Sequence, residues 1–174
     1  PTSIYRLANS ISFDVLKAGA IDANGNETPT SRFATITNPY WILANQFQRQ
    51  TKDHLLGTAV MRYQFFDWLY LQGRANTDLL QTTYESNTPT GTLAVSAAPA
   101  GLYNGSYGIS TTNTRQNNFD FLLGGGHKWK DFSFNATVGG NNFPLITSSF
   151  NESVTNFYIR GLYTVGNGVT ANSS

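Results

Sequence analysis

Three stretches of this sequence carry residue types that do chemistry at defined spacings. Asp22-Ala23-Asn24-Gly25-Asn26-Glu27 opens like a calcium loop. An EF-hand needs Gly at its sixth position and a bidentate Glu at its twelfth. Counted from Asp22, those positions hold Glu27 and Phe33, which excludes that loop. A looser calcium site in a long loop stays open beside the plainer reading, an Asn-Gly turn. Gly124-Gly125-Gly126-His127-Lys128 invites a phosphate-loop reading but lacks the spacing to Gly-Lys-Ser/Thr and leads into a strand. Glycines beside a tight turn more commonly permit a bend or a close strand contact. His54 and His127 are too few and too isolated for a metal centre.

Enzymatic signatures are lacking. No Ser-x-x-Lys, Gly-x-Ser-x-Gly or His-Glu-x-x-His occurs, and nothing pairs two of the ten acidic residues as a glycosidase requires. With no cysteine, disulfides, Cys-zinc sites and thiol nucleophiles are excluded. None of these motifs assigns a reaction or a cofactor, the loop calcium aside, although ten acidic residues leave a carboxylate pair open. Its 174 residues suffice for one ordinary domain. Only 12% are charged, about half the usual share, and the net charge is +1 without a basic cluster, which argues against nucleic-acid binding. Eighteen Asn and abundant Thr and Ser replace the missing charge, and 14% of the chain is aromatic. No apolar run reaches the 18 residues of a transmembrane helix.

What must position any site is a set of strands, because period 2 dominates the chain. From Leu55 to Phe65 the odd positions are Leu, Gly, Ala, Met, Tyr and Phe, while the even face turns polar at Arg62 and Gln64. After Phe66-Asp67-Trp68 the pattern resumes, with Leu69, Leu71 and Ala75 opposing Gln72, Arg74, Asn76 and Asp78. A second such hairpin joins Phe119, Phe121 and Leu123, across Lys128–Asp131, to Phe132, Phe134, Ala136 and Val138. A fifth run is expected at Phe157–Val165 and a weaker sixth at Tyr5, Leu7, Ile11 and Phe13. Helical spacing is confined to a short turn or two after Asn38-Pro39, from Trp41 to Gln50. The connections at 66–67 and 128–131 are tight, whereas 17–54, 81–113 and 142–155 are polar and read as long loops.

Short turns alternating with long loops fit an outer-membrane β-barrel, with turns periplasmic and loops extracellular. Tyr63, Phe65, Trp68, Tyr70, Trp129 and Phe132 would contribute to an aromatic girdle near the turns. The opposite faces carry Arg62, Arg74, Asn76, Asp78, Asp120 and Arg160, a polar set suited to a watery lumen and the nearest approach to a functional constellation. Tyr40, Trp41, Tyr84, Tyr103 and Tyr107 fall in the long loops, where aromatic rings can stack on sugars, meet a lid protein or anchor loops to one another.

The stretch NPYWILANQFQRQTKDHLLGTAVMRYQFFDWLYLQGRANTD, from Asn38 to Asp78, resembles the barrel of SusC/RagA-type TonB-dependent transporters of Bacteroidota. It carries an Asn-Pro-x-Trp element, a polar run, a strand, an Asp-Trp turn and a strand ending in Gly-Arg-x-x-x-Asp. NNFDFLLGGGHKWKDFSFNATVGGN, from Asn117 to Asn141, resembles the next hairpin of that family. The resemblance implies a plugged, 22-stranded outer-membrane barrel importing oligosaccharides or peptides, with a SusD-like surface lipoprotein as lid and TonB as energy source. Residues 1–174 would be a barrel segment of about six strands without the plug, since 22 strands at this spacing need roughly 640 residues. The fold class expected is therefore all-β: an antiparallel transmembrane barrel segment in lipid, with no nucleic-acid partner. Two other readings stay open: a small complete barrel of porin or adhesin type, and a secreted carbohydrate-binding β-sandwich.

Overall fold

The computed structural model of the chain describes residues 11–30, 36–94 and 101–174. Helix α1 (Phe13–Ala18) starts where the Ser12 hydroxyl accepts the Asp14 N–H, with Asp14 in its first turn and Lys17 in its last. The weak sixth strand is thereby corrected at its C-terminal end: Phe13 is helical, capped by its neighbours. Tyr5 and Leu7 lie outside the described residues. Helix α2 (Pro39–Asn45) is the short helix expected after Asn38-Pro39, but it stops short of Gln50, because the first strand already begins at Gln48 inside the expected loop. The Asn38 side chain accepts the Tyr40 N–H, and Pro39 supplies the fixed φ that suits a first helical turn.

All strands belong to one mostly antiparallel sheet. β1 (Gln48–Phe66) and β2 (Leu69–Ala94) flank the Asp67-Trp68 turn. β3 (Gly101–Trp129) and β4 (Phe132–Asn142) flank Lys130-Asp131, and β5 (Leu145–Thr155) and β6 (Thr170–Ser173) follow. The order is β1-β2-β3-β5-β6, with β4 also on β3. The sheet is not closed into a barrel. β3 and β4 pair from Trp129↔Phe132 to Phe119↔Asn142. Pro144 lacks an N–H and interrupts the ladder, yet its carbonyl accepts the Asn117 N–H (3.1 Å), so the register carries on into β5.

The strands correct the expected loops. Residues 142–155, expected as a loop, are mostly β5, and 81–113 extend β2 to Ala94 and β3 back to Gly101. Their polarity comes from Thr and Ser, and Thr is a good strand former whatever its hydropathy. Among the described residues, 81–113 lengthen β2 and β3 and form no separate strand. Conversely, Phe157–Val165 is not a strand but turns and bends. Asn156 (φ 61°) and Gly161 (φ 77°) reverse the chain. The Asn167 amide donates to the carbonyls of Ile159 (2.7 Å) and Leu162 (2.6 Å), and its oxygen accepts the Ile159 N–H (2.9 Å). A side chain thus satisfies the backbone that a ladder would have satisfied; Phe157, Tyr163 and Val165 turn to the core while Ile159 stays exposed.

By internal contacts the chain divides into two units. The first comprises residues 1–51, 83–111 and 150–174. It has a core of Tyr107, Val154 and Phe157, with Phe47, Ile109, Tyr163 and Val165 packed against it. Tyr163 meets Phe47 and Phe157 edge to face, at 5.4 and 5.8 Å between ring centres. The second comprises residues 52–82 and 112–149. Among its described residues no apolar side chain is buried, and Met61, Phe134 and Val138 are each more than 60% exposed.

Gly105 has φ 86°, and a Cβ there would strike the Phe157 ring and the Thr90 hydroxyl. At Gly73 a Cβ enters open space. Gly105→Ala should therefore cost about 2 kcal/mol or more, seen as a lower denaturant midpoint for the first unit, while Gly73→Ala leaves the midpoint unchanged or slightly raised.

Candidate functional site

Strand alternation in the second unit sorts its side chains into two unlike faces. Side chains of three strands meet on the polar face. Arg74 Nε of β2 donates to Asp120 Oδ2 of β3 at 2.8 Å. His54 Nε2 of β1 meets Asp78 Oδ1 of β2 at 2.7 Å. The Arg62 guanidinium of β1 lies over the Tyr70 ring of β2, 3.7 Å from its centre. By alternation Asn76 occupies the same face, between Arg74 and Asp78. Five of the six residues expected to line a lumen, Arg62, Arg74, Asn76, Asp78 and Asp120, are thus brought together.

These pairs are wet. Side-chain exposure is 49% for Arg74 and 16% for Asp120, and 47% and 39% for His54 and Asp78. Ion pairs so placed contribute roughly 0–1 kcal/mol, so they orient donors and acceptors more than they hold the sheet together. Tyr70, expected in the aromatic girdle, belongs instead to this polar face under Arg62. The glycine run explains its seat: a Cβ on Gly124 would collide with the Tyr70 ring. Gly124 therefore permits a close strand contact, as expected from its type and place.

The other face is apolar and bare. Met61, Tyr63 and Phe65 of β1, Phe119 and Phe121 of β3, and Phe132, Phe134 and Val138 of β4 are all exposed. Beside the turns the rings associate. Phe66 stacks with Trp68 (5.7 Å, 9° between planes), Tyr63 meets Phe65 edge on (5.0 Å), and Lys130 lies 5.9 Å from the Trp129 ring centre. A shallow dent between Ala59, Gly73 and Phe121 marks this face where Gly73 has no side chain.

Arg160 does not join the polar set. It lies in the first unit and donates to the Asn24 carbonyl (3.1 Å), the Asn26 side-chain oxygen (3.0 Å) and the Gly25 carbonyl. Oxygens of the Asn24-Gly25-Asn26 turn thus hold a guanidinium. Asp22 Oδ1 accepts the N–H groups of Asn26 (2.7 Å) and Asn24 (2.8 Å), and the Asn26 bond leads in holding its carboxyl below the ordinary value. Among the described residues no group of three or more His, Asp or Glu is placed to hold a metal ion.

The aromatics expected in loops divide as well, Tyr84, Tyr103 and Tyr107 lying in strands. Trp41 is 2% exposed and donates from Nε1 to the Thr92 hydroxyl (3.0 Å), while Tyr107 belongs to the core. Both anchor the fold. Tyr40 is half-buried at the start of α2. Tyr84 and Tyr103 are exposed.

The sequence reading also missed a residue of structural weight. Glu27 is 2% exposed; its Oε1 accepts the Asn38 N–H (2.6 Å) and its Oε2 the Leu93 N–H (2.8 Å). One carboxylate thereby ties the start of α2 to the end of β2. No local motif announces this, because its partners lie 11 and 66 residues away. Burial raises its carboxyl above the ordinary value of 4.5 against the opposing pull of the two N–H groups.

The chain matches no known protein-family model and no curated protein sequence. The site's meaning rests on its own geometry.

For Glu27 the sign is fixed by a folded-state pKa above the unfolded one. Its contribution to stability is full below 4.5 and is lost as pH rises through the raised folded value. Amide-exchange protection at Leu93 and Asn38 should therefore be higher near pH 4 than near pH 7, after correction for intrinsic exchange. Glu27→Gln should abolish that difference and cost about 1–3 kcal/mol, since its NH2 would face a backbone donor.

Proposed function

We propose that this chain is part of the barrel wall of a TonB-dependent transporter of the bacterial outer membrane. The family resembled is the SusC/RagA type, importing an oligosaccharide or a peptide. The observation that carries this reading is the division of the second unit into a bare apolar face and a polar face of ion pairs. In water, contiguous exposed aromatic and aliphatic surface of this kind is an aggregation hazard. Against lipid on one side and an aqueous lumen on the other, both faces find their solvent.

The extent of the apolar alternation supports the same reading. It occupies Leu55–Phe65 in β1 and Leu69–Leu79 in β2, directly beside the Asp67-Trp68 turn. Each is a run of eleven residues, matching the roughly 9–11 that a tilted strand needs to cross a bilayer. Farther from the turn β2 becomes Thr- and Asn-rich, as expected of a strand continuing beyond the membrane on the extracellular side. The rings beside the turns suit the periplasmic interface. A β-sandwich would lay a second sheet on the apolar face, whereas the strands of the described residues form one sheet.

The transporter does no covalent chemistry. Its barrel wall offers a polar lumen to substrate and plug, TonB supplies energy through the plug, and a SusD-like lipoprotein closes the extracellular mouth. In the native host, deletion of the gene should abolish uptake of one oligosaccharide or peptide class, and an uncoupler or loss of TonB should do the same. Uptake that survives both treatments, or a protein found soluble without detergent, would contradict the transporter reading.

A further inference from the structure

On the polar face Arg62 is held by a ring and not by an acid. Arg74 has Asp120 and His54 has Asp78, but Arg62 makes no ion pair among the described residues. Its guanidinium carbon lies over the Tyr70 ring, 3.7 Å from the ring centre, a separation that suits stacking. Stacking of this kind uses the π face of the cation and leaves the N–H groups around its edge free to donate. Tyr70 in turn owes its place to Gly124, where a Cβ would collide with the hydroxyl end of the ring. Three strands thus fix one guanidinium: β1 carries it, β2 supports it and β3 supplies the seat.

We propose that Arg62, positioned by Tyr70 and Gly124, is a docking point for a carboxylate. A carboxylate matches the planar fork of N–H donors, and fixing the fork beforehand reduces the side-chain entropy lost on binding. On the same face the Arg74 guanidinium already holds the Asp120 carboxylate, so its chemistry favours that group. The inference stands on the local geometry and does not require the transporter reading. The carboxylate can arrive on a small anion or on an acidic side chain of a polypeptide, and the two sources share the same chemistry.

The test uses the full chain in detergent micelles with 15N-labelled arginine, following the Nε–H signals during titration. The probes are succinate and a terminally blocked tri-glutamate peptide, at constant ionic strength kept with sodium chloride. A saturable shift of the Arg62 signal with either probe is the expected result, and the stronger probe identifies the source. Arg62→Lys should remove that signal and assign it. Tyr70→Leu and Gly124→Val should weaken binding about tenfold although Arg62 keeps its charge. The Arg74 signal, fixed by Asp120, reports in each variant that the sheet is intact. No saturable shift with either probe would overturn the proposal. Equal affinity in Tyr70→Leu, with the Arg74 signal unchanged, would overturn the positioning role of the ring.

Discussion

The physical constraint on which the second unit depends is that a single layer of strands cannot bury its own apolar face. Phe121, Phe134, Met61 and Val138 alternate with Arg74, Asp120, Asn135 and Thr137, and no other described layer of this unit covers them. Hydrogen bonding between strands satisfies the backbone but does nothing for these side chains. Stability must therefore come from what lies against the face, and an apolar solvent meets that need without a second sheet.

The first unit solves the opposite problem. Polar strands and long connections leave few apolar residues, so these gather in a small core around Val154, Tyr107 and Phe157. Side chains that bond backbone at long range do the rest. Glu27 joins α2 to β2, Asn87 accepts the Phe47 N–H and donates to the Asn45 carbonyl, and Asn167 closes the turn before β6. Asn is abundant here for a physical reason: one amide can both donate and accept, replacing ladder bonds where the chain turns.

The sequence made legible whatever follows from local alternation. The two tight hairpins, the polar set from Arg62 to Asp120 and the short helix after Pro39 were readable because each depends on neighbours two to four residues apart. Strand length was not legible beyond Leu79, since Thr-rich strands polar on both faces look like loops when hydropathy is the guide. Phe157–Val165 failed in the opposite sense, because a turn that sends Phe157, Tyr163 and Val165 to the core can mimic period 2. Arg160 followed that error into the lumen set, whereas it binds the turn at Asn24. Glu27 and the seat of Tyr70 on Gly124 depend on contacts between distant segments, and no window along the chain contains them.

The central claim is that one face of the hairpin meets lipid and the other meets water. The chain has no cysteine, so single cysteines introduced along β1 and β2 report one site at a time. In isolated membranes, a water-soluble maleimide should label cysteines at Thr58, Gln72 and Asn76. Those at Ala59, Met61, Leu71 and Ala75 should remain unlabelled until the protein is denatured. Labelling of both sets at similar rates in the folded protein would contradict the account.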